Sequence, residues 1–184
     1  MKALLLRPFR YETDLNLLYA YMGNPSHQAL FSHKFQCNSV HAFERWLMEM
    51  LNSTYHDFFM IDTSSGVTIG FTFSYEFFQN DRHCKFTLCL FDQHKSLGYG
   101  ALAGAQMLDY LFSCYSLQQV FTTVFDYNSE SLSVHRHAGF ERVGELPQYR
   151  FYNGSYHSLH YFVIRREVFY QKATRLLPHI RNHG

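Results

Sequence analysis

The sequence predicts an α/β fold, a mixed central sheet of six to seven strands flanked by about four helices. Three observations carry that expectation. Residues 69–77 alternate Ile69, Phe71, Phe73, Tyr75 and Phe77 with Gly70, Thr72, Ser74 and Glu76, the period of an antiparallel strand with one aromatic face. From Gly98 onward the period changes, and Ala101, Ala105, Leu108 and Phe112 fall on one helical face. Near the C-terminal end two apolar runs meet at Asn153-Gly154, the dipeptide most compatible with a tight hairpin turn.

The elements follow in order. Leu4, Leu5 and Leu6 suit a short first strand that Pro8 ends. Thr13 is the expected cap of a helix with Leu15, Leu18, Tyr19 and Met22 as its stripe, stopped at Gly23-Asn24-Pro25. After a loop to Gln36, Ser39 can cap a second helix that buries Val40, Phe43, Leu47 and Met50. A strand at 58–61 and the turn Ser64-Ser65-Gly66 lead to the aromatic strand, and a turn at 79–82 leads to Phe86, Leu88 and Leu90, which alternate again. The longest helix runs from Gly98 to Cys114 or Tyr115. A β-branched and aromatic strand covers 120–125, and Asn128 caps a short helix that ends at Ala138-Gly139. Strands at 140–152 and 156–164 complete the order.

The 184 residues, 47% hydrophobic and 17% charged, suit one packed globule. A single domain over 1–184 is expected, with a peripheral extension from about residue 172. The formal charge is +1 and no Lys/Arg stripe runs along any segment, so a nucleic-acid partner is not expected. The apolar stretch 3–6 is too short for a signal-peptide core or a membrane span, and a cytoplasmic protein without a membrane partner is expected. Cys37, Cys84, Cys89 and Cys114 lack paired spacing and read as reduced and mostly buried. The pairs His135/His137 and His157/His160 do not align their side chains on the elements assigned to them, so no metal site is expected.

The strongest chemical signal is Lys95-Ser96-Leu97-Gly98-Tyr99-Gly100-Ala101, at a strand-to-helix junction. Two glycines let backbone amides approach a ligand, and a helix starting there presents its unpaired N–H groups and positive dipole end to an anion such as a pyrophosphate. The same glycines also suit a helix start with a flexible lead-in. The spacing is wrong for the phosphate loop of nucleoside triphosphatases and for the dinucleotide fingerprint.

Lys95-x-x-Gly98-x-Gly100 resembles the Arg/Gln-x-x-Gly-x-Gly/Ala signature of the GNAT acetyltransferase superfamily. Asn128-x-x-Ser131, then Gly139-Phe140 and Gly144, resembles the pattern of the subfamily related to ribosomal-protein N-terminal acetyltransferases. Asn153-Gly154-Ser155-Tyr156 is similar to that subfamily's Asn-Gly-Lys-Tyr, with Ser158 in place of its acidic residue. The resemblance implies acetyl-coenzyme A as cosubstrate, with no metal. Its pyrophosphate would be held by the loop Lys95, Ser96, Leu97, Gly98, Tyr99, Gly100 and Ala101. Its pantetheine and acetyl carbonyl would meet the backbone of Leu88, Leu90 and Phe91, with Asn128 and Ser131 near the thiol. His135 holds the place where many family members have a tyrosine that protonates the departing thiolate. Lys85 stands where a catalytic glutamate is common, which leaves Glu76 on the neighbouring strand as candidate base.

A thioester attacked by a neutral amine needs a proton acceptor, donors for the developing oxyanion and an acid for the thiolate. The expected activity is acetyl transfer to a primary amine of a small molecule or a peptide N-terminus. A non-catalytic coenzyme A-binding sensor or scaffold is the alternative, and nothing excludes a homodimer. The third-strand aromatics with Phe31, Phe35 and Tyr149 either fill the core or line an acceptor pocket. Few carboxylates fall near the expected cleft, which favours a small, partly apolar amine over a polyamine.

Overall fold

The computed structural model describes residues 3–32, 35, 37–54, 56–95 and 98–174. In chain order they form β1 (Leu4–Arg7), α1 (Tyr11–Met22), α2 (Pro25–Gln28), α3 (Val40–Leu51), β2 (Phe58–Thr63), β3 (Thr68–Phe78) and β4 (His83–Leu90). After a single 3-10 turn (Asp92–His94) come α4 (Tyr99–Cys114), β5 (Gln119–Phe125), α5 (Ser129–Ala138), β6 (Glu141–Tyr152), β7 (Ser155–Arg165) and α6 (Arg166–Ala173). The strands make one mixed sheet in the order β1-β2-β3-β4-β5-β7-β6. Four antiparallel strands come first, and β4 pairs in parallel with β5.

The chain divides into two compact units, and β5 and β7 each contribute to both. In the first unit (residues 1–9, 55–121 and 164–184), α4 packs on β1 and β4. Leu4, Ile61, Ile69, Leu90 and Ala103 form a buried cluster there, with Leu6, Leu88, Tyr99 and Leu102 against it. An ion pair is buried beside it. Arg7 Nε lies 2.6 Å from Asp62 Oδ2, Arg7 also donates to Thr68 Oγ1 at 3.1 Å, and Thr68 donates to Asp62 Oδ1 at 2.8 Å.

The aromatic strand departs from its simple alternation. The pairing with β2 shifts between Ile61 and Asp62, where β3 carries the extra residue Ile69, and the pairing with β4 shifts between Tyr75 and Phe78, where β3 again carries one residue more. Each bulge inserts a residue and so reverses the side on which the following side chains emerge. Phe71 and Phe73 stack with Phe58, whereas Ile69 joins the α4 cluster and Phe77 packs on Tyr115 at the end of α4. The five apolar residues therefore serve two faces rather than one.

The second unit (residues 10–54 and 122–163) holds α1, α2, α3, α5 and β6. Ser39 caps α3 by accepting from the Ala42 amide at 3.1 Å, and Phe43, Leu47 and Met50 are buried as their spacing predicts, though Val40 is exposed. Thr13 is not the cap of α1. The helix starts earlier, and the Asp14 carboxylate reaches back to the Arg10 amide at 2.7 Å, a charged acceptor stronger than a threonine hydroxyl. Asn153 (φ 48°) and Gly154 (φ 83°) both adopt left-handed conformations, as a tight β6–β7 turn requires.

Helix α6 carries no strong local signal, since it is eight residues long. Its buried pair Phe169 and Ala173, with Phe169 5.6 Å from Phe112, holds it to the first unit. Cys84 and Cys89 are buried, Cys37 is half-buried and Cys114 is exposed, so only two of the four cysteines are buried as expected; all are free thiols. Burial, aided by Asp57, pushes the Cys84 thiol up to about 12. Among the described residues no helix is long and apolar enough to cross a membrane, and no group of His, Cys, Asp and Glu is arranged to hold a metal ion.

Candidate active site

In the first unit the parallel ladder between β4 and β5 runs over His83↔Gln119, Cys84↔Val120 and Lys85↔Phe121, while β4 itself continues to Leu90. The chain then turns through Asp92–His94 to Gly98, the N-cap of α4, at φ 80° and ψ −1°. That conformation favours glycine. Among the described residues no side chain caps α4, in contrast to α3 and α5, whose first turns are capped by Ser39 and Asn128. A Cβ on Gly98 would meet nothing within 4 Å among the described residues, and one on Gly100 would meet only Leu90 Cδ1 at an ordinary 3.7 Å. Among the described residues the first turn of α4 thus presents backbone amides beside open space, the arrangement that binds an anion.

The other loop residues divide. Lys95 Nζ pairs with Asp92 Oδ1 at 2.6 Å, holding its charge beside the turn. Ala101 is exposed, Tyr99 is half-buried, and Ser96 and Leu97 lie outside the described residues. Leu90 is buried and Leu88 is half-buried, both in the α4 cluster, so their side chains are core. The expectation for Phe91 is corrected. Its amide donates to Ile69 O at 2.9 Å and its carbonyl accepts from His94 at 2.8 Å, so the backbone polar groups assigned to pantetheine are committed to the fold.

Glu76 sits in the β3 bulge with φ 50°, a strained conformation for a residue with a Cβ. Its carboxylate is about half exposed and lies 2.6 Å from Lys85 Nζ. The residue expected as base and the lysine expected to displace one therefore form a pair, and the carboxylate already binds an ammonium group.

In the second unit, Asn128 Oδ1 accepts the Ser131 amide at 3.1 Å, and Gly139 (φ 90°) ends α5. Ser131 and His135 stand on one face of the helix, four residues apart, as their spacing predicts. His135 Nδ1 lies 2.7 Å from Ser131 O, and Nε2 lies 2.8 Å from Thr122 Oγ1. A carbonyl can only accept, so Nδ1 carries the proton and Nε2 accepts from the threonine hydroxyl. The ring also packs between Phe140 and Phe162, at 4.8 and 5.1 Å between centroids. Burial lowers its pKa and outweighs the Ser131 carbonyl, which raises it. His135 is therefore neutral with its one proton engaged, which leaves nothing for a thiolate and speaks against the expected acid role.

A pH test follows from that burial. A histidine whose folded pKa lies below its unfolded value near 6.5 stabilises nothing extra above that pH, and it destabilises the fold as pH falls below it, because the unfolded chain binds the proton more readily. The melting temperature should fall between pH 7 and pH 5, and His135→Gln should flatten that fall in thermal scans. His56, whose pKa burial also lowers, contributes with the same sign and leaves a residual slope.

One feature of the second unit has no local signal in the sequence. The segment after α2 is held by three side chains: Tyr127 donates its hydroxyl to Ala29 O, Arg150 donates to the same carbonyl at 2.9 Å, and Ser32 bonds Thr123 at 2.8 Å. The Arg150 guanidinium lies 4.0 Å from the Phe125 ring centroid, a cation–π contact. Phe31 and Phe35 are buried in this unit, edge to face at 5.0 Å, and Phe35 meets Trp46 at the same distance. Phe71, Phe73 and Tyr75 are buried in the other, whereas Tyr149 is 51% exposed.

Comparison with known proteins bears on these loops. The family model described as acetyltransferase (GNAT) domain matches residues 3–141. The SPbeta prophage-derived uncharacterized N-acetyltransferase YokL of Bacillus subtilis (strain 168) is 23% identical over 131 residues, 71% of this chain and 73% of that one. The spermidine N-acetyltransferase of Vibrio cholerae, solved in complex with CoA and spermine, superposes with a TM-score of 0.83 at 19% identity, over 90% of this chain and 97% of that one. Mutant forms of the spermidine/spermine N-acetyltransferase SpeG from Vibrio cholerae superpose at 0.78 and 18% identity, over 92% of this chain and 98% of that one.

Proposed function

The chain belongs to the GNAT acetyltransferase family and is an N-acetyltransferase of that type, and we propose that it moves an acetyl group from acetyl-coenzyme A to a small primary amine. The observation that carries the donor is the N-terminus of α4, without a side-chain cap among the described residues, behind Gly98 in its left-handed conformation. Amides of Gly98, Gly100 and Ala101 would take the pyrophosphate oxygens, with Lys95 released from Asp92 to add charge. The backbone of Leu88 and Leu90, beyond the three-position ladder with β5, would take pantetheine and the acetyl carbonyl. His135 becomes a positioning residue that holds α5 to Thr122 on β5.

Glu76 is assigned to the amine. Its carboxylate exchanges the Lys85 ammonium for that of the substrate and receives the proton before attack. Turnover by Glu76→Gln should fall by about 10²-fold, with coenzyme affinity unchanged in calorimetry. Wild-type turnover in that variant removes Glu76 from the reaction.

The solved neighbours named above act on polyamines; in this chain many carboxylates already have partners. Asp62 is held by Arg7, Asp14 by the Arg10 amide, Asp57 by Tyr110 and Tyr115, Asp126 by His157 and Glu145 by Arg142. A polyamine needs several open carboxylates along its length, so an amine with one charge and an apolar body fits better. The test is thiol release from acetyl-coenzyme A with a panel of aralkylamines, spermidine, spermine and peptides with free N-termini. Preference for the aralkylamines supports this acceptor class. Efficient spermidine turnover overturns it, and selective peptide turnover moves the chain to the subfamily related to ribosomal-protein N-terminal acetyltransferases. Coenzyme binding with no turnover of any amine favours the sensor.

A further inference from the structure

We infer that Ser155, His157 and Asp126 form a nucleophilic triad outside the acetyl-transfer machinery, able to accept an acyl group from a small activated ester or thioester onto the Ser155 hydroxyl. The left-handed pair Asn153-Gly154 makes Ser155 the first residue of β7. His157 follows two residues later and so shares its face of the strand. Ser155 Oγ lies 2.9 Å from His157 Nε2, and His157 Nδ1 lies 2.7 Å from Asp126 Oδ1. Only one tautomer satisfies both contacts. Nδ1–H must donate to the carboxylate, which leaves Nε2 to accept from the serine hydroxyl.

Asp126 is fixed in turn. Its second oxygen accepts the Ser158 amide at 2.8 Å, and its own amide donates to Ser158 O at 3.0 Å. Burial works against its ionisation, but the Ser158 amide and His157 outweigh it and hold the carboxyl below the ordinary range. The Tyr127 ring stands edge to face against His157 at 4.8 Å and limits its rotation. Hydroxyl, imidazole and carboxylate are thus ordered as nucleophile, base and orienting group. Ser155 is exposed, so a small acyl donor reaches it from solvent without a pocket to select its length.

The step balances without any redox partner. Ser155 Oγ attacks the acyl carbonyl of R–CO–X while its proton passes to His157 Nε2; the C–X bond then breaks, and that proton leaves with X as a phenol or thiol. Asp126 stays ionised and stabilises the imidazolium. Water, deprotonated by His157, next cleaves the acyl-serine ester and releases the carboxylic acid.

The probe is p-nitrophenyl acetate, with nitrophenolate release followed in solution and the acetyl group, trapped by acid quench during turnover before water cleaves the ester, located by peptide mass spectrometry. The expected result is one acetyl group on Ser155, and a fall of about 10²-fold in release for Ser155→Ala and for His157→Gln. Asp126→Asn should lower it as well. An acetyl group that maps elsewhere, or release by Ser155→Ala at the parent rate, overturns the proposal. Ser155→Ala alters an exposed hydroxyl and should melt at the parent temperature, so a lost signal is not lost folding. Its transfer from acetyl-coenzyme A to amines should be unchanged, which separates this triad from the acetyl-transfer reading if either fails.

Discussion

Replacing Gly98 and Gly100 together with valine should abolish measurable acetyl-coenzyme A binding. At Gly98, φ is 80°, where a residue with a Cβ is strained by roughly 1–2 kcal/mol, so the chain relaxes and its amides turn away from their common target. Gly100 supplies the cleaner contrast. A Cβ added there meets only Leu90 Cδ1 among the described residues, at an ordinary 3.7 Å, so loss of binding in Gly100→Val with an unchanged melt reads as steric exclusion of the ligand. Two lost hydrogen bonds to a charged phosphate, at about 1.5–3 kcal/mol each, weaken binding by roughly 10²- to 10⁴-fold. Titration calorimetry measures that loss, and the circular-dichroism melt should stay cooperative. Retained micromolar affinity in the double variant would refute the assignment of the loop.

The largest expected effect on stability is at Asp62. Arg7 is 5% exposed and Asp62 8% exposed, and each satisfies the other directly and through Thr68. Asp62→Ala leaves a buried guanidinium without its carboxylate and should destabilise by about 3–5 kcal/mol. At about 2–4 °C per kcal/mol for a chain of this size, the melting temperature drops by roughly 10 °C. Removing both charges, as Arg7→Met with Asp62→Leu, should recover most of that loss, because the desolvation cost disappears with the pair. A double variant no more stable than Asp62→Ala would mean that the polar contacts to Thr68, rather than the uncompensated charge, set the cost.

Elements with local signals were legible from the residues alone. Ser39 capping α3, Asn128 and Gly139 bounding α5, and Asn153-Gly154 between β6 and β7 act within a few positions of themselves, so their chemistry survives in the one-dimensional chain. The same holds for the glycine spacing at the start of α4, which carried both the phosphate reading and the family resemblance. Alternation along β3 identified the strand but misassigned its faces. A bulge is a property of two paired strands, and the shifts at Ile61/Asp62 and Tyr75/Phe78 appear only when β2, β3 and β4 are in register.

Tertiary structure alone decided which polar groups meet. The spacing of Ser131 and His135 placed them on one face, yet the acid role turned on Thr122, a strand residue that occupies the second ring nitrogen. Arg150 and Ala29 are 121 residues apart, Arg7 and Asp62 are 55 apart, and Asp126 and His157 are 31 apart. Periodicity reports which side of an element is apolar, because the hydrophobic effect is non-directional and averages over neighbours. A hydrogen bond demands a particular donor within about 3 Å of a particular acceptor, and the order of strands in the sheet and the path of the loops settle that geometry.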